Sequence, residues 1–263
     1  MDLGIKDKAA LVAASSRGLG KAVAAALCRE GAKVVVCARD EARLAEARDE
    51  IARETGGEVR AFRADVTKEA DVRDVVRFAA SEFGSLDILV CNAGGPPSGP
   101  AEDFSADDFR KAVELNLLST VRLCREAVPL MKERRWGRII ALTSVSAKQP
   151  IDSLILSNAA RAGVLGYAKT LSGALAGFGI TVNCICPGYT KTERVERLAE
   201  AFAEKGLGTI EEFYGRLEKA IPLGRLGKPE EVAAAAVFLA SEGAAYITGT
   251  ALQVDGGFIK GLF

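Results

Sequence analysis

Residues 9–20 read Ala-Ala-Leu-Val-Ala-Ala-Ser-Ser-Arg-Gly-Leu-Gly, and no other stretch constrains the fold as tightly. An apolar run of strand type enters a short turn carrying Gly18 and Gly20, and helical spacing follows to residue 30. A glycine turn between a strand and a helix leaves backbone N–H groups and the helix dipole facing outward, an arrangement that accepts a phosphate. A lone glycine turn is a weak signal. Here the next apolar run, Lys33 to Ala38, ends about 20 residues on, where a dinucleotide-binding unit reads the ribose.

The same alternation continues outward. Strand-type runs recur at Val59 to Ala64, Leu86 to Asn92, Arg138 to Ser144, Thr181 to Cys186 and Ala251 to Val254, so seven strands are expected. Runs such as ALVAA, VVVCA and DILVC are nearly continuous in apolar residues, as strands buried on both faces are. Segments 18–30, 41–55, 68–83, 106–134, 153–179 and 229–242 have helical length and spacing. Strand and helix in strict alternation predict an α/β fold of the Rossmann type, a doubly wound, parallel, seven-stranded sheet with helices on both faces. No repeat or linker divides residues 1–263, so one domain is expected. Segment 190–228 is the least regular and most polar, and it reads as a mobile cover over the substrate at the sheet's carboxyl edge.

Composition removes whole reaction classes. The chain has no histidine, which excludes Ser-His-Asp and Cys-His nucleophiles and His-ligated metal centres. No metal site is expected, because Cys184 and Cys186 share one strand with no third ligand near them. The six cysteines stand in apolar segments, as small buried hydrophobes of a reducing compartment do. With 35 basic and 35 acidic residues there is no excess charge for nucleic acid. The opening MDLGIKDK lacks a signal core and no run approaches a membrane span, so a cytoplasmic protein without membrane contact is expected.

The end of the second strand chooses the dinucleotide. A carboxylate there would accept a bond from a free 2′-hydroxyl and repel a 2′-phosphate. This chain has Ala38 then Arg39, with Arg17 in the glycine turn. Guanidinium forks suit a phosphate. NADP(H) is therefore the expected cofactor, NAD(H) the other one the site could take, and a surface pairing of Arg39 with Asp40 or Glu41 the plain alternative.

The glycine turn, Asp65 in ADVT, Asn92-Ala93-Gly94, Asn116 in VELNLLST, Ser144 in ALTSVS, Pro187-Gly188 and Val254-Asp255-Gly256-Gly257 follow one another at intervals that resemble the short-chain dehydrogenase/reductase family. The likeness runs over essentially the whole chain and is strongest to the branch of 3-oxoacyl-[acyl-carrier-protein] reductases. It implies an oxidoreductase that moves hydride between NADP(H) and a small-molecule ketone or secondary alcohol, working as a homotetramer built on helices 106–134 and 153–179. By the same resemblance Ser16, Arg17, Gly18, Leu19 and Gly20 line the pyrophosphate and adenosine ribose, Asp65 and Val66 flank the adenine, and Asn92, Ala93 and Gly94 lie beneath the riboses. Pro187, Gly188, Thr190 and Thr192 hold the carboxamide end. The family's turn begins Thr-Gly where this chain has Ala13-Ala14, so a looser approach of the phosphate is expected.

The resemblance implies that Ser144 binds the reacting oxygen, with Asn116 a further member of the site. The family's Tyr-x-x-x-Lys motif is absent. Ser157-Asn158-Ala159-Ala160-Arg161 stands in its register. A phenol with an ordinary pKa of about 10 can be tuned by a cation, whereas an aliphatic hydroxyl is a far weaker acid. Arg161 can still grip a ribose but gives up no proton. Three readings stay open. Tyr189 or Lys148 supplies the acid; Ser144 and Ser157 relay a proton from water; or the chain is a catalytically degenerate NADP(H)-binding protein with a regulatory or structural role. Tyr167 lies ten residues too late to replace Ser157 and is expected to pack.

Overall fold

The computed structural model describes residues 2–262. Seven strands, β1 (Ala9–Val12), β2 (Lys33–Ala38), β3 (Val59–Arg63), β4 (Ile88–Cys91), β5 (Gly137–Leu142), β6 (Ile180–Pro187) and β7 (Ala251–Val254), form one sheet. All neighbours run parallel, in the order β3-β2-β1-β4-β5-β6-β7. The chain crosses from β3 to β4 past β1, so the topological switch lies between β1 and β4, where Ala10 pairs Ile88 and Val12 pairs Val90. Open α/β sheets bind ligands in the crevice at that point.

The continuous apolar runs are explained by two cores. Ala10, Val12, Val34, Val36, Ile88 and Val90 face one side of the sheet, and Leu11, Val35, Cys37, Leu89 and Cys91 face the other. Helices α1 (Gly18–Arg29), α2 (Glu41–Thr55) and α9 (Pro229–Ala240) cover the first face through Val23, Leu27, Leu44, Ile51 and Val232. Helices α3 (Glu69–Phe83), α5 (Ser119–Arg134) and α6 (Ile155–Leu175) cover the second through Val72, Val76, Leu123, Met131 and Val164. The period of two in a strand sends alternate residues to opposite cores, and both must be apolar. All six cysteines are free and buried, as expected. Tyr167 packs against the second core.

Three regions differ from the sequence reading. The first strand stops at Val12 because Ala14 turns left-handed, at φ 48°. The helix expected over 106–134 is α4 (Ala106–Val113) and α5 joined by a π-helical turn at Glu114–Leu118. Segment 190–228, expected to be irregular, contains two helices, α7 (Glu193–Glu204) and α8 (Ile210–Ala220). Gly215 lies inside α8 rather than breaking the chain. A capping box starts α8: the Thr209 hydroxyl accepts from Glu212 N, and the Glu212 carboxylate accepts from Thr209 N. Val195, Ile221 and Leu226 form a small core there with Tyr189, Phe213 and Phe258 packed on it.

Candidate active site

A cavity of about 850 Å³ opens at the carboxyl ends of the strands, beside the β1/β4 switch. One end is built by backbone. Helix α1 begins at Gly18 with no side chain capping it, so its first N–H groups point at the cavity unclaimed. Gly20 lies just behind the turn, where a Cβ would sit 2.5 Å from the Ala14 carbonyl oxygen and 2.8 Å from Asn92 Nδ2. Asn92 holds the turn by donating from Nδ2 to that carbonyl at 3.2 Å. The Ser15 hydroxyl donates to Val12 O and accepts from Cys37 N, tying the turn to β2. Ser16, Arg17, Gly18, Leu19, Arg39, Asp65, Val66, Asn92, Ala93 and Gly94 are all on the wall.

The charges at this end are distributed in a way the sequence did not show. Arg17 pairs with Glu193, the first residue of α7, while Arg39 is exposed and has no carboxylate within ion-pair distance among the described residues. The alternative, a pairing of Arg39 with Asp40 or Glu41, is not made. Asp40 and Asp65 also line the cavity, against the expectation of no competing carboxylate, but both are engaged. Asp40 caps α2 by accepting from Arg43 N at 3.1 Å. Asp65 accepts from the Thr67 amide at 3.0 Å and from its hydroxyl at 2.8 Å. Burial opposes ionisation of Asp65, yet those two bonds and the charges of Arg39 and Lys68 hold its carboxyl below the usual range.

The other end is built by side chains on β5, α6 and the loop after β6. Ser144 follows β5 and caps a short 3₁₀ turn, its Oγ accepting from Ser146 N at 3.1 Å, which leaves its proton free to donate into the cavity. Ser157 reaches the wall from the first turn of α6, 6% exposed, with its hydroxyl 3.2 Å from that of Ser146. One turn further along α6, Arg161 is buried. Its Nη1 donates to Leu142 O at 3.0 Å and Thr143 O at 2.9 Å, and its Nη2 to Ala93 O at 3.4 Å. Arg161 thus staples the carboxyl ends of β4 and β5. Burial, then the like charge of Arg194, pulls its guanidinium down to about 10.

Asn116, in the π-helical turn, lies behind the wall. Its Nδ2 donates to Gly94 O at 3.0 Å and its buried Oδ1 has no hydrogen-bond partner among the described residues. Pro187, Gly188, Thr190 and Thr192 form the far lip. A Cβ on Gly188 would meet Asp255 Cα at 2.8 Å, so only glycine passes there. The lip is pinned by bonds from Gly227 N to Tyr189 O and from Lys191 N to Gly227 O, each 2.9 Å.

Of the two acids proposed in place of the missing tyrosine, Lys148 is turned away. Its ammonium donates to Ala251 O at 3.3 Å and it is off the cavity wall. Tyr189 is the one phenol on that wall among the described residues. It stands edge-on to Phe258 at 5.5 Å, and burial raises its pKa.

Sequence reasoning missed Ser146, Glu193 and Arg194. Ser146 was legible as a second hydroxyl beside Ser144, but its bond to Ser157 joins positions eleven residues apart. Glu193 and Arg194 reach the cavity because α7 folds across its mouth, with Val195, Arg197 and Leu198 beside them.

A family model described as enoyl-(acyl carrier protein) reductase matches residues 13–259. The chain is 36% identical over 258 residues to a D-beta-hydroxybutyrate dehydrogenase of Cupriavidus necator, covering 97% of this chain and 99% of that protein. It is 41% identical over 252 residues to an L-fucose dehydrogenase of Bos taurus, covering 95% and 88% respectively. Among solved structures, L-sorbose reductase from Gluconobacter frateurii, complexed with NADPH and L-sorbose, superposes with a TM-score of 0.94 at 35% identity over 100% of both chains. An actinorhodin polyketide ketoreductase with NADPH gives 0.91 at 34% identity, over 95% of this chain and 97% of that one.

Proposed function

Because the chain belongs to the short-chain dehydrogenase/reductase family, and is an oxidoreductase of that family, we propose that it is an NADP(H)-dependent enzyme interconverting a ketone and a secondary alcohol. The observation that carries this reading is the free hydroxyl of Ser144 at the inner end of a cavity whose outer end is a preformed phosphate cradle. The fit to a dinucleotide rests on this chain's own atoms. The α1 N-terminus is uncapped, Gly20 leaves no room for a side chain beneath the turn, and Arg39 has no carboxylate within ion-pair distance among the described residues, which leaves it free for a 2′-phosphate. NADPH in two structural relatives supports the same choice.

When bound, the cofactor supplies or accepts the hydride. Ser144 donates a hydrogen bond to the reacting oxygen and so stabilises the charge that develops on it. Ser157, held by Ser146, offers a second hydroxyl on the same cavity wall. Arg161 fixes the two strand ends that carry this site and lines the cavity, where it would hold the nicotinamide ribose. Tyr189 is the candidate proton donor because it is the one phenol on the cavity wall among the described residues; burial raises its pKa and so makes it a weaker acid than a free phenol. Helix α7, with α8 packed against it through Phe202 and Phe213, covers the substrate, a role supported by the four α7 side chains on the wall beside Glu193.

The test is NADPH consumption with a panel of ketones, 3-oxoacyl thioesters and keto sugars. Turnover that falls about 100-fold in Ser144→Ala is expected. Tight NADPH binding with silence across the panel would instead establish the degenerate, regulatory role. A Tyr189→Phe variant with full activity would pass the proton to water through the serines. A cytoplasmic homotetramer packed through α4–α5 and α6 completes the reading. On α6, Gly166 and Gly173 have open space at the Cβ position, which lets another helix approach closely. A monomer in light scattering would remove that assembly. Among the described residues no helix is long and apolar enough to cross a membrane.

A further inference from the structure

Six arginines line the cavity (Arg17, Arg39, Arg43, Arg161, Arg194 and Arg197) against three carboxylates, Asp40, Asp65 and Glu193. Each carboxylate is already engaged at the outer end, by the α2 amide of Arg43, by Thr67 and by Arg17 respectively. The inner end holds two guanidiniums and no carboxylate. Arg161 is 9% exposed and Arg194 half-buried, and neither has an acidic partner within 4.0 Å among the described residues. The thiol of Cys186 lies near Arg161, but burial pushes its pKa up, so it stays neutral at neutral pH and supplies no counter-charge.

Buried charges are ordinarily paired, because an uncompensated one costs several kcal/mol, of order, in desolvation. Here backbone carbonyls do part of that work. Arg161 gives Nη1 and Nη2 to Leu142, Thr143 and Ala93, and Arg194 gives Nη2 to Pro96 O at 2.7 Å. Arg194 lies flat across Gly95, whose Cβ would stand 3.1 Å from the Cζ, so its position is set by contact as well as by that bond. Nε and Nη1 of Arg194 make no hydrogen bond within the protein among the described residues. Two fixed, like-charged forks on one wall call for an anion between them, and burial together with Arg197 lowers the pKa of Arg194 just as Arg194 lowers that of Arg161.

We infer that the substrate of the proposed hydride transfer is a small oxo or hydroxy acid whose carboxylate is held by Arg194, beside Arg161, leaving the carbonyl to Ser144. This rests on the oxidoreductase reading above. The planar fork of arginine matches a carboxylate bidentately. The rest of the inner wall, with Val145, Ile151, Leu154 and Leu198, suits a short apolar chain rather than a sugar's hydroxyls.

The experiment compares short-chain 2-oxo and 3-oxo acids with their methyl esters, by calorimetric titration into the NADP⁺-loaded protein and by NADPH oxidation. Expected is an acid-over-ester ratio of about 30-fold or more in binding, seen as KM rather than kcat in turnover. Arg194→Gln should bring the ratio towards one, and Arg194→Lys should restore part of it. Equal binding of acids and esters to the wild-type protein overturns the inference and leaves the oxidoreductase reading intact. Acid-selective binding through Arg194 with no reduction of any acid leaves the anion site standing and overturns the hydride-transfer reading. An undiminished ratio in Arg194→Gln assigns the anion to some other group and overturns the inference.

Discussion

The two ends of the cavity are made of different material. At the outer end the working groups are backbone amides at the start of α1, held by a turn so tight that Gly20 has no room for a Cβ. At the inner end they are side chains, Ser144, Ser157 and Arg161, and two of them occupy the places where the family resemblance calls for a tyrosine and a lysine. The backbone end keeps its form because the sheet and α1 impose it. At the side-chain end both of those residues have partners inside the protein: Ser157 with Ser146, Arg161 with three carbonyls. Chemistry carried by side chains can change without disturbing the fold, whereas chemistry carried by backbone cannot.

The comparison is easiest to break at Gly20. Gly20→Val drives a side chain into the Ala14 carbonyl and should cost about 3 kcal/mol or more, with NADPH binding lost in fluorescence titration. Ordinary NADPH affinity in that variant would mean that the turn is not what binds the phosphates. Next in size is Arg161→Met, which strands three inward carbonyls and should lower stability by about 2 kcal/mol, read as a melting temperature some 4–8 °C lower. An unchanged melting temperature would make Arg161 purely a ligand-facing group and remove its structural half. The double variant Ser157→Tyr with Arg161→Lys sharpens the contrast: turnover that rises about tenfold or more shows that the backbone end was ready for ordinary chemistry all along. The smallest effect is expected at Ala14, a non-glycine residue at φ 48°. Ala14→Gly should relieve left-handed strain and raise stability by about 1 kcal/mol or less, offset by the greater freedom of glycine in the unfolded chain. A loss of stability there would show that the turn is unstrained.

Most of the fold was legible because seven apolar runs and the spacing between them admit little else. Ala10 and Leu11 face different cores, and a strand buried on both sides must be apolar throughout. Helices α7 and α8 were harder to see. Their signals were present, in the Thr209-x-x-Glu212 box and in the polar-apolar spacing of residues 193–204, but Gly206, Gly208 and Gly215 read as breaks. The π-helical turn around Asn116 left no mark that composition or period could show.

By itself, then, the amino-acid order determined the parallel sheet, the glycine turn after the first strand and the serine and arginine at positions 157 and 161, since all three are local patterns of residue type and spacing. Only the tertiary structure decided what those side chains meet. Arg161 meets carbonyls from residues 93, 142 and 143, Arg17 meets Glu193 across 176 positions, and Arg194 enters the cavity from a helix that folds over it. Which guanidinium is stapled to backbone through three bonds and which keeps N–H groups free depends on contacts between segments far apart in the chain, and no local pattern encodes such contacts.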